Sequence, residues 1–187
     1  MRVAITGGIA EGKSTVLGYL ASLGYSIQSA DVVARSIFDG PEMQARLADL
    51  LGSEAPVSAD ALRQAIATRP AIRRQVNRVM HPGIMAVLQE SGANFFEVPL
   101  LIEDCLQGQF DQVWVVTCGA DEQLRRLVLR IGRSEAIRML GVQLPTPVKM
   151  AFADQILRTN RAEGAVFQEV RALALDLMDK GVCRSRN

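Results

Sequence analysis

Lysine is nearly absent from this chain: three of its 187 residues (Lys13, Lys149 and Lys180) against eighteen arginines. An excess of either charge is also missing, because 21 basic and 20 acidic side chains leave a formal net charge of +1. That balance argues against a protein that holds nucleic acid by bulk electrostatics, which needs a clear basic excess. Cysteine is scarce as well. Cys105, Cys118 and Cys183 are odd in number, widely spaced and without a CxxC pair, so neither a disulfide frame nor a zinc site is indicated. Reduced thiols in a cytoplasmic protein are expected instead. No apolar run approaches the roughly 18 residues that a spanning helix needs, so no membrane partner is expected. Nor is a basic-then-apolar leader, since Met1 and Arg2 run straight into Val3-Ala4-Ile5-Thr6. Repeats, low-complexity tracts and Gly/Ser/Pro linkers are lacking too. What is there is a hydrophobic content of 49%, enough for a real core. A chain of this size buries on the order of 70% of its unfolded surface, which suits one domain with an elaboration. A monomer or weak homo-oligomer is expected.

Short apolar runs alternate with longer helical patterns, as in a parallel α/β sheet. Five strands are predicted: Val3 to Thr6, Tyr25 to Ser29, Phe95 to Val98, Val113 to Thr117 and, more weakly, Gln155 to Leu157. A helix from Lys13 to Leu23, closed by Gly24, places Val16, Leu17, Leu20 and Leu23 on one face. Val166, Val170, Leu173, Leu177 and Met178 recur at helical spacing near the C-terminus. The core is expected at about 1–30, 94–129 and 152–187. Residues 31–93 are too many for one crossover helix. They hold helical patterns at Val32 to Phe38, Met43 to Leu51, Ala61 to Ala67 and from Pro70 onward, and read as a helical substrate-binding insertion. A second excursion, about 130–151, carries arginines with Gly132, Gly141, Pro145 and Pro147, which suits a short mobile lid.

Gly7-Gly8-Ile9-Ala10-Glu11-Gly12-Lys13-Ser14 fits G-x-x-x-x-G-K-[ST] after a strand and at the opening of a helix. Glycines let the backbone curl so that N–H groups converge on phosphate oxygens, from Gly8 through Thr15. Lys13 neutralises the β and γ phosphates, the Ser14 hydroxyl ligates Mg²⁺, and the helix end adds its positive dipole. ATP and Mg²⁺ are thus the expected cofactors. Glu11 sets a carboxylate within an anion-binding loop and is expected to point to solvent, because turned inward it would weaken ATP binding.

The loop alone leaves ATPases, GTPases and small-molecule kinases open. A guanine reader N-K-x-D fails at Asn160-Arg161-Ala162-Glu163, and the only D-x-x-G, Asp49-Leu50-Leu51-Gly52, falls in a helical pattern. A kinase needs a base for the acceptor hydroxyl. Asp31, at the end of the second strand, stands where α/β sheets form their ligand crevice, although it would equally cap the helix from Val32. Glu97, ending the third strand, would hold a Mg²⁺ water or remain a solvated strand-end charge. Arg126 and Arg130, four apart, offer charge to a transferring phosphoryl group. Arg133 and Arg138 are further lid candidates. The single histidine, His81, stands in His81-Pro82, a helix break with Pro82 opening the next helix.

An ordered set of segments resembles the dephospho-coenzyme A kinase family. It comprises Thr6 to Thr15, Ala30-Asp31-Val32-Val33-Ala34-Arg35, His81-Pro82 before Ile84, Pro99-Leu100-Leu101-Ile102-Glu103, Gln143, and Ala153-Asp154 through Asn160. Together they span almost the whole chain. The resemblance implies a P-loop kinase fold and transfer of the ATP γ-phosphoryl group to the ribose 3′-hydroxyl of dephospho-CoA, the last step of CoA synthesis. It implies Asp31 as general base, with Lys13 and Arg130 beside it in catalysis, and Asn160 with the loop on ATP. Arg35, His81, Pro99, Leu100 and Glu103 would face the acceptor, Glu103 by orienting loops or arginines. Departures occur at Ser29, at Ser58-Ala59 and in a shortened lid. Another small-molecule P-loop kinase and a non-catalytic nucleotide-binding module remain the alternatives.

Overall fold

The computed structural model describes residues 1–53 and 56–182, with side chains through 177; Cys183 and the side chain of Met178 lie outside the described residues. Two compact units form, one of Met1–Gln28 with Ala93–Asn187 and one of Ser29–Gly92.

The first unit is built on a five-stranded parallel sheet. In chain order its strands are β1 (Val3–Thr6), β2 (Ile27–Ser29), β3 (Phe95–Glu97), β4 (Gln112–Thr117) and β5 (Gln155–Arg158), and in space they run β2-β3-β1-β4-β5. Strand β1 pairs with β3 through Val3–Phe95 to Ile5–Glu97, and with β4 through Val3–Gln112 to Thr6–Val115. All of β1 is buried, which is why it reads as an unbroken apolar run. One face packs on α1 (Lys13–Ser22) and α9 (Glu163–Val182): Val3, Ile5, Phe95, Trp114 and Leu157 meet Val16, Leu20, Val166, Val170, Ala174 and Leu177. Aromatic rings run through that core, Tyr25 to Phe95 at 5.3 Å and Phe95 to Trp114 at 5.4 Å between centroids. Beyond β4 come α6 (Ala120–Ile131), α7 (Arg133–Gly141) and α8 (Thr146–Met150). Cys105 and Cys118 are free thiols, and burial pushes the Cys118 thiol up, away from reactivity. Among the described residues no helix is long and apolar enough to cross a membrane.

The second unit is helical: α2 (Ala30–Phe38), α3 (Pro41–Leu51), α4 (Ala59–Thr68) and α5 (Pro70–Glu90). Two expectations change here. Strand β2 stops at Ser29, which is itself the N-cap of α2, so Asp31 stands in the first helical turn and neither ends the strand nor caps the helix. The His81-Pro82 break does not occur either, since α5 runs through it for 21 residues with Pro82 inside. An interior proline costs about 3 kcal/mol, but Val76, Met80, Ile84, Met85 and Leu88 are buried on either side of it. Each such burial is worth roughly 1.5–3 kcal/mol, so the continuous helix wins. Ser58, where the sequence departs from the family pattern, caps α4 by accepting the Ala61 N–H at 3.1 Å.

Candidate active site

The glycine-rich loop joins β1 to α1. Gly12, the N-cap of α1, has φ +93°, and a Cβ there would lie 2.8 Å from the Thr159 hydroxyl, so both backbone and space demand glycine. Ala10 also lies in the left-handed region at φ +62°, at a cost of roughly 1 kcal/mol for a non-glycine residue. Lys13 donates from Nζ to the carbonyls of Gly7 and Gly8, both at 2.9 Å, which holds the ammonium over the loop. Ser14 and Thr15 are exposed in the first turn of α1. Glu97 ends β3 in register with Ile5, one strand from the loop, and the neighbouring Val98 N–H donates to the Ile5 carbonyl at 3.0 Å.

Glu11 is not directed to solvent. It is 1% exposed and accepts hydrogen bonds from the Gly8 N–H at 2.5 Å, the Thr117 hydroxyl at 3.0 Å and the Thr146 hydroxyl at 2.6 Å. The physical reason is donor supply: three donors inside the fold replace the water that a carboxylate would otherwise require. Other side chains grip the same loop. Gln143 accepts the Ile9 N–H at 3.0 Å and Gln123 donates to the Ile9 carbonyl at 2.9 Å. Thr159 donates to the Glu11 carbonyl at 2.7 Å, and Arg126 donates to the Thr159 carbonyl at 2.9 Å. Asn160 follows, exposed, after β5.

The segment after β3 is tied down by Lys149, which is fully buried. Its Nζ lies 2.8 Å from Glu103 Oε1 and donates to the Pro99 carbonyl at 2.9 Å, while Glu103 Oε1 also accepts the Leu144 N–H at 3.1 Å. Glu103 thus contacts a lysine and a backbone amide and no arginine among the described residues. Leu100 is exposed. From Gln143 to Lys149 the second excursion is an anchored base.

Three arginines of α6 and α7 are occupied. Arg125 and Arg126 both bind Glu122, at 2.6 and 2.7 Å, and their hydrogen bonds hold the Glu122 carboxyl down at about 2. Arg138 pairs with Glu135. Arg126 is thus committed to Glu122 and Thr159, because its carboxylate partner lies one helical turn away. Arg130, in the last turn of α6, and Arg133 are exposed.

In the helical unit, Asp31 and Arg35 line a cavity of about 430 Å³ together with Phe38, Leu62, Arg63 and Met80. Asp39 lines it too, so two aspartates and two arginines stand over an apolar floor, a mixed lining that suits a ligand carrying both a phosphate and a hydroxyl group. His81 is half-buried in α5 and does not line that cavity.

Sequence reasoning missed Arg63, Thr117, Gln123, Thr146, Lys149 and Thr159. Lys149 carried one signal, as one of only three lysines, but no motif; Thr117, Gln123, Thr146 and Thr159 are ordinary polar residues brought to the loop by distant parts of the chain, and Arg63 lines the cavity of the helical unit. Among the described residues, no group of three His, Cys, Asp or Glu side chains could hold a metal ion by itself. Mg²⁺ asks for less, since it takes one or two protein oxygens and completes its shell with phosphate and water. Ser14, exposed in the first turn of α1, and Glu97, at the end of β3, carry side-chain oxygens of that kind.

Residues 1–164 match the family model described as dephospho-CoA kinase. The dephospho-CoA kinase of Geobacter metallireducens is 31% identical, over 95% of this chain and 97% of its own length. That of Escherichia coli K12 is 30% identical, over 91% and 90%. Among solved structures, a Thermus thermophilus protein superposes with a TM-score of 0.81 at 25% identity, over 95% of this chain and 97% of its own. The dephospho-CoA kinase of Campylobacter jejuni gives 0.65 at 22% identity, over 96% and 98%. With its phosphate loop at the head of β1 and relatives matched over nearly their whole length, the chain belongs to the dephospho-CoA kinase family, phosphotransferases of the final step of coenzyme A synthesis.

Proposed function

We propose that this chain transfers the γ-phosphoryl group of ATP to the ribose 3′-hydroxyl of dephospho-CoA, with Mg²⁺, in the cytoplasm and as a monomer or weak homo-oligomer. The observation that carries the reading is the loop: Lys13 held over the Gly7 and Gly8 carbonyls, at the positive end of α1, in a member of this family. Side chains of the protein already take the Gly8 and Ile9 amides, so phosphate recognition falls to the amides at the helix end.

Asp31 accepts the proton of the acceptor hydroxyl as the new O–P bond forms and the bond to the β-phosphate breaks, releasing ADP. Arg35 and Arg63, beside Asp31 in the cavity, meet the acceptor's phosphates. Lys13 and the exposed Arg130 neutralise charge on the transferring group. Ser14 and Glu97 would hold Mg²⁺, which would supply charge neutralisation to the phosphates. Asn160 borders the nucleotide just after β5, and Pro99 and Leu100 face the acceptor; His81, outside the cavity, acts on the acceptor only through α5. Residues 31–93 form the acceptor-binding insertion, and the segment of about 130–151 excludes water as a lid.

ADP release measured with dephospho-CoA, AMP and adenosine as acceptors tests the reading, and CoA formation is the expected product. ADP release with dephospho-CoA no faster than in buffer rejects it. Faster release with AMP or adenosine makes the chain a kinase of another acceptor.

A further inference from the structure

We infer that Glu11 is a positioning residue for ATP: a buried carboxylate that fixes the phosphate loop from within and ties it to Thr146, at the start of α8. The inference rests on the nucleotide-binding role of that loop and adds a residue to it.

Both oxygens of Glu11 are used. Oε2 accepts the Gly8 N–H at 2.5 Å and the Thr146 hydroxyl at 2.6 Å, and Oε1 accepts the Thr117 hydroxyl at 3.0 Å. Thr117 in turn accepts the Gly119 N–H at 3.1 Å, so its own proton is aimed at the carboxylate. The three donors come from three places: the loop itself, the end of β4 and the first residue of α8. A side chain at Gly8 would displace the ends of Gln123 and Glu11, because a Cβ there would lie 2.9 Å from Glu11 and closer still to Gln123. The left-handed Ala10 just before Glu11 bends the chain so that its side chain folds back under the loop.

A negative charge beside a phosphate site opposes ATP unless it is spread over strong donors. Glu11 has three, and in exchange it fixes the backbone that presents the remaining amides. A short hydroxyl or methyl side chain at this position would leave the Gly8 N–H and both threonine hydroxyls buried and unsatisfied. The acceptor cavity, lined from α2, α4 and α5, shares none of these residues. Loss of Glu11 therefore acts on ATP and spares the acceptor.

Calorimetric Kd for ATP·Mg²⁺ and the KM values of both substrates test this in the whole protein and in E11A, E11Q, T146V and E11A/T146V. Expected is a loss of ATP affinity on the order of tenfold in E11A and roughly threefold in T146V, with the KM for dephospho-CoA kept. E11Q recovers most of the loss, because an amide oxygen still accepts the Gly8 N–H and the hydroxyls can rotate. The double variant is no worse than E11A, since Thr146 acts only through Glu11. Unchanged ATP affinity in E11A, parallel losses for both substrates, or E11Q as weak as E11A overturns the inference. If E11A does not fold, unchanged affinity in T146V overturns it. Wild-type protein that binds no ATP removes the kinase reading itself, whereas wild-type binding with an unaffected E11A removes only the role of Glu11.

Discussion

Replacing Asp31 by asparagine keeps the shape of the side chain and removes its capacity to take a proton. Turnover of dephospho-CoA in D31N should fall by roughly 10²–10⁴-fold with ATP affinity nearly kept, read from kcat beside a calorimetric Kd. Because Ser29 occupies the N-cap position of α2, a D31N enzyme of normal kcat would leave Asp31 only as an acid favoured in a first helical turn. Lys149 belongs to the same scale. It is fully buried against Glu103, whose Oε2 is itself buried with no hydrogen-bond partner among the described residues. K149M should lower stability by roughly 1–3 kcal/mol in urea denaturation, because it removes the cation from a part-buried carboxylate. The double variant K149M/E103L should recover most of that loss, and a double variant no better than K149M would contradict it. The position of Lys13 was legible because a local motif dictates it. Lys149 was not, because its partners Glu103 and Pro99 stand 46 and 50 residues away in the chain, and no spacing rule links them.

Among the elements, α5 and α6 teach opposite lessons. In α5 the apolar residues 76, 80, 84 and 88 keep a spacing of four straight through Pro82. The helical period was therefore present in the sequence, but the local rule for X-Pro carried the reading to a break that packing overrides. In α6 the arginines looked like an open positive site, yet Glu122 sits one turn from two of them and takes both. The folded carboxyl is held at about 2, against an ordinary value of 4.5. A depressed carboxyl contributes stability above its unfolded value and loses it as pH falls toward the folded one. E122Q should therefore be less stable than the wild type at neutral pH, with the difference shrinking between about pH 4.5 and pH 2. Thermal denaturation across that range measures it, and a gap independent of pH would show that the ion pairs contribute nothing. Arg126, freed from Glu122, should also loosen its grip on Thr159.

For the molecule as a whole, ligand binding is the direct probe. ATP·Mg²⁺ at a hundred times its Kd should stabilise the folded protein by about 2.7 kcal/mol, a rise in Tm of roughly 5–10 °C for a chain of this length. K13A should show no such rise and no turnover, and a ligand-induced shift retained in K13A would sink the role given to that lysine. The sequence by itself determined the strand–loop–helix of the phosphate site, the five strands, the helical excursion and the family, because these rest on short-range periodicity and on motifs read within a few residues. Strand order, the inward turn of Glu11 and the side chains that grip its loop were decided only by tertiary structure. The reason is physical. A carboxylate turns inward only where donors await it, and Thr117 and Thr146 are brought to Glu11 from 106 and 135 residues away. The scarcity of lysine now has a content: Lys13 lies over the phosphate loop, and Lys149 is buried beneath the segment that follows β3.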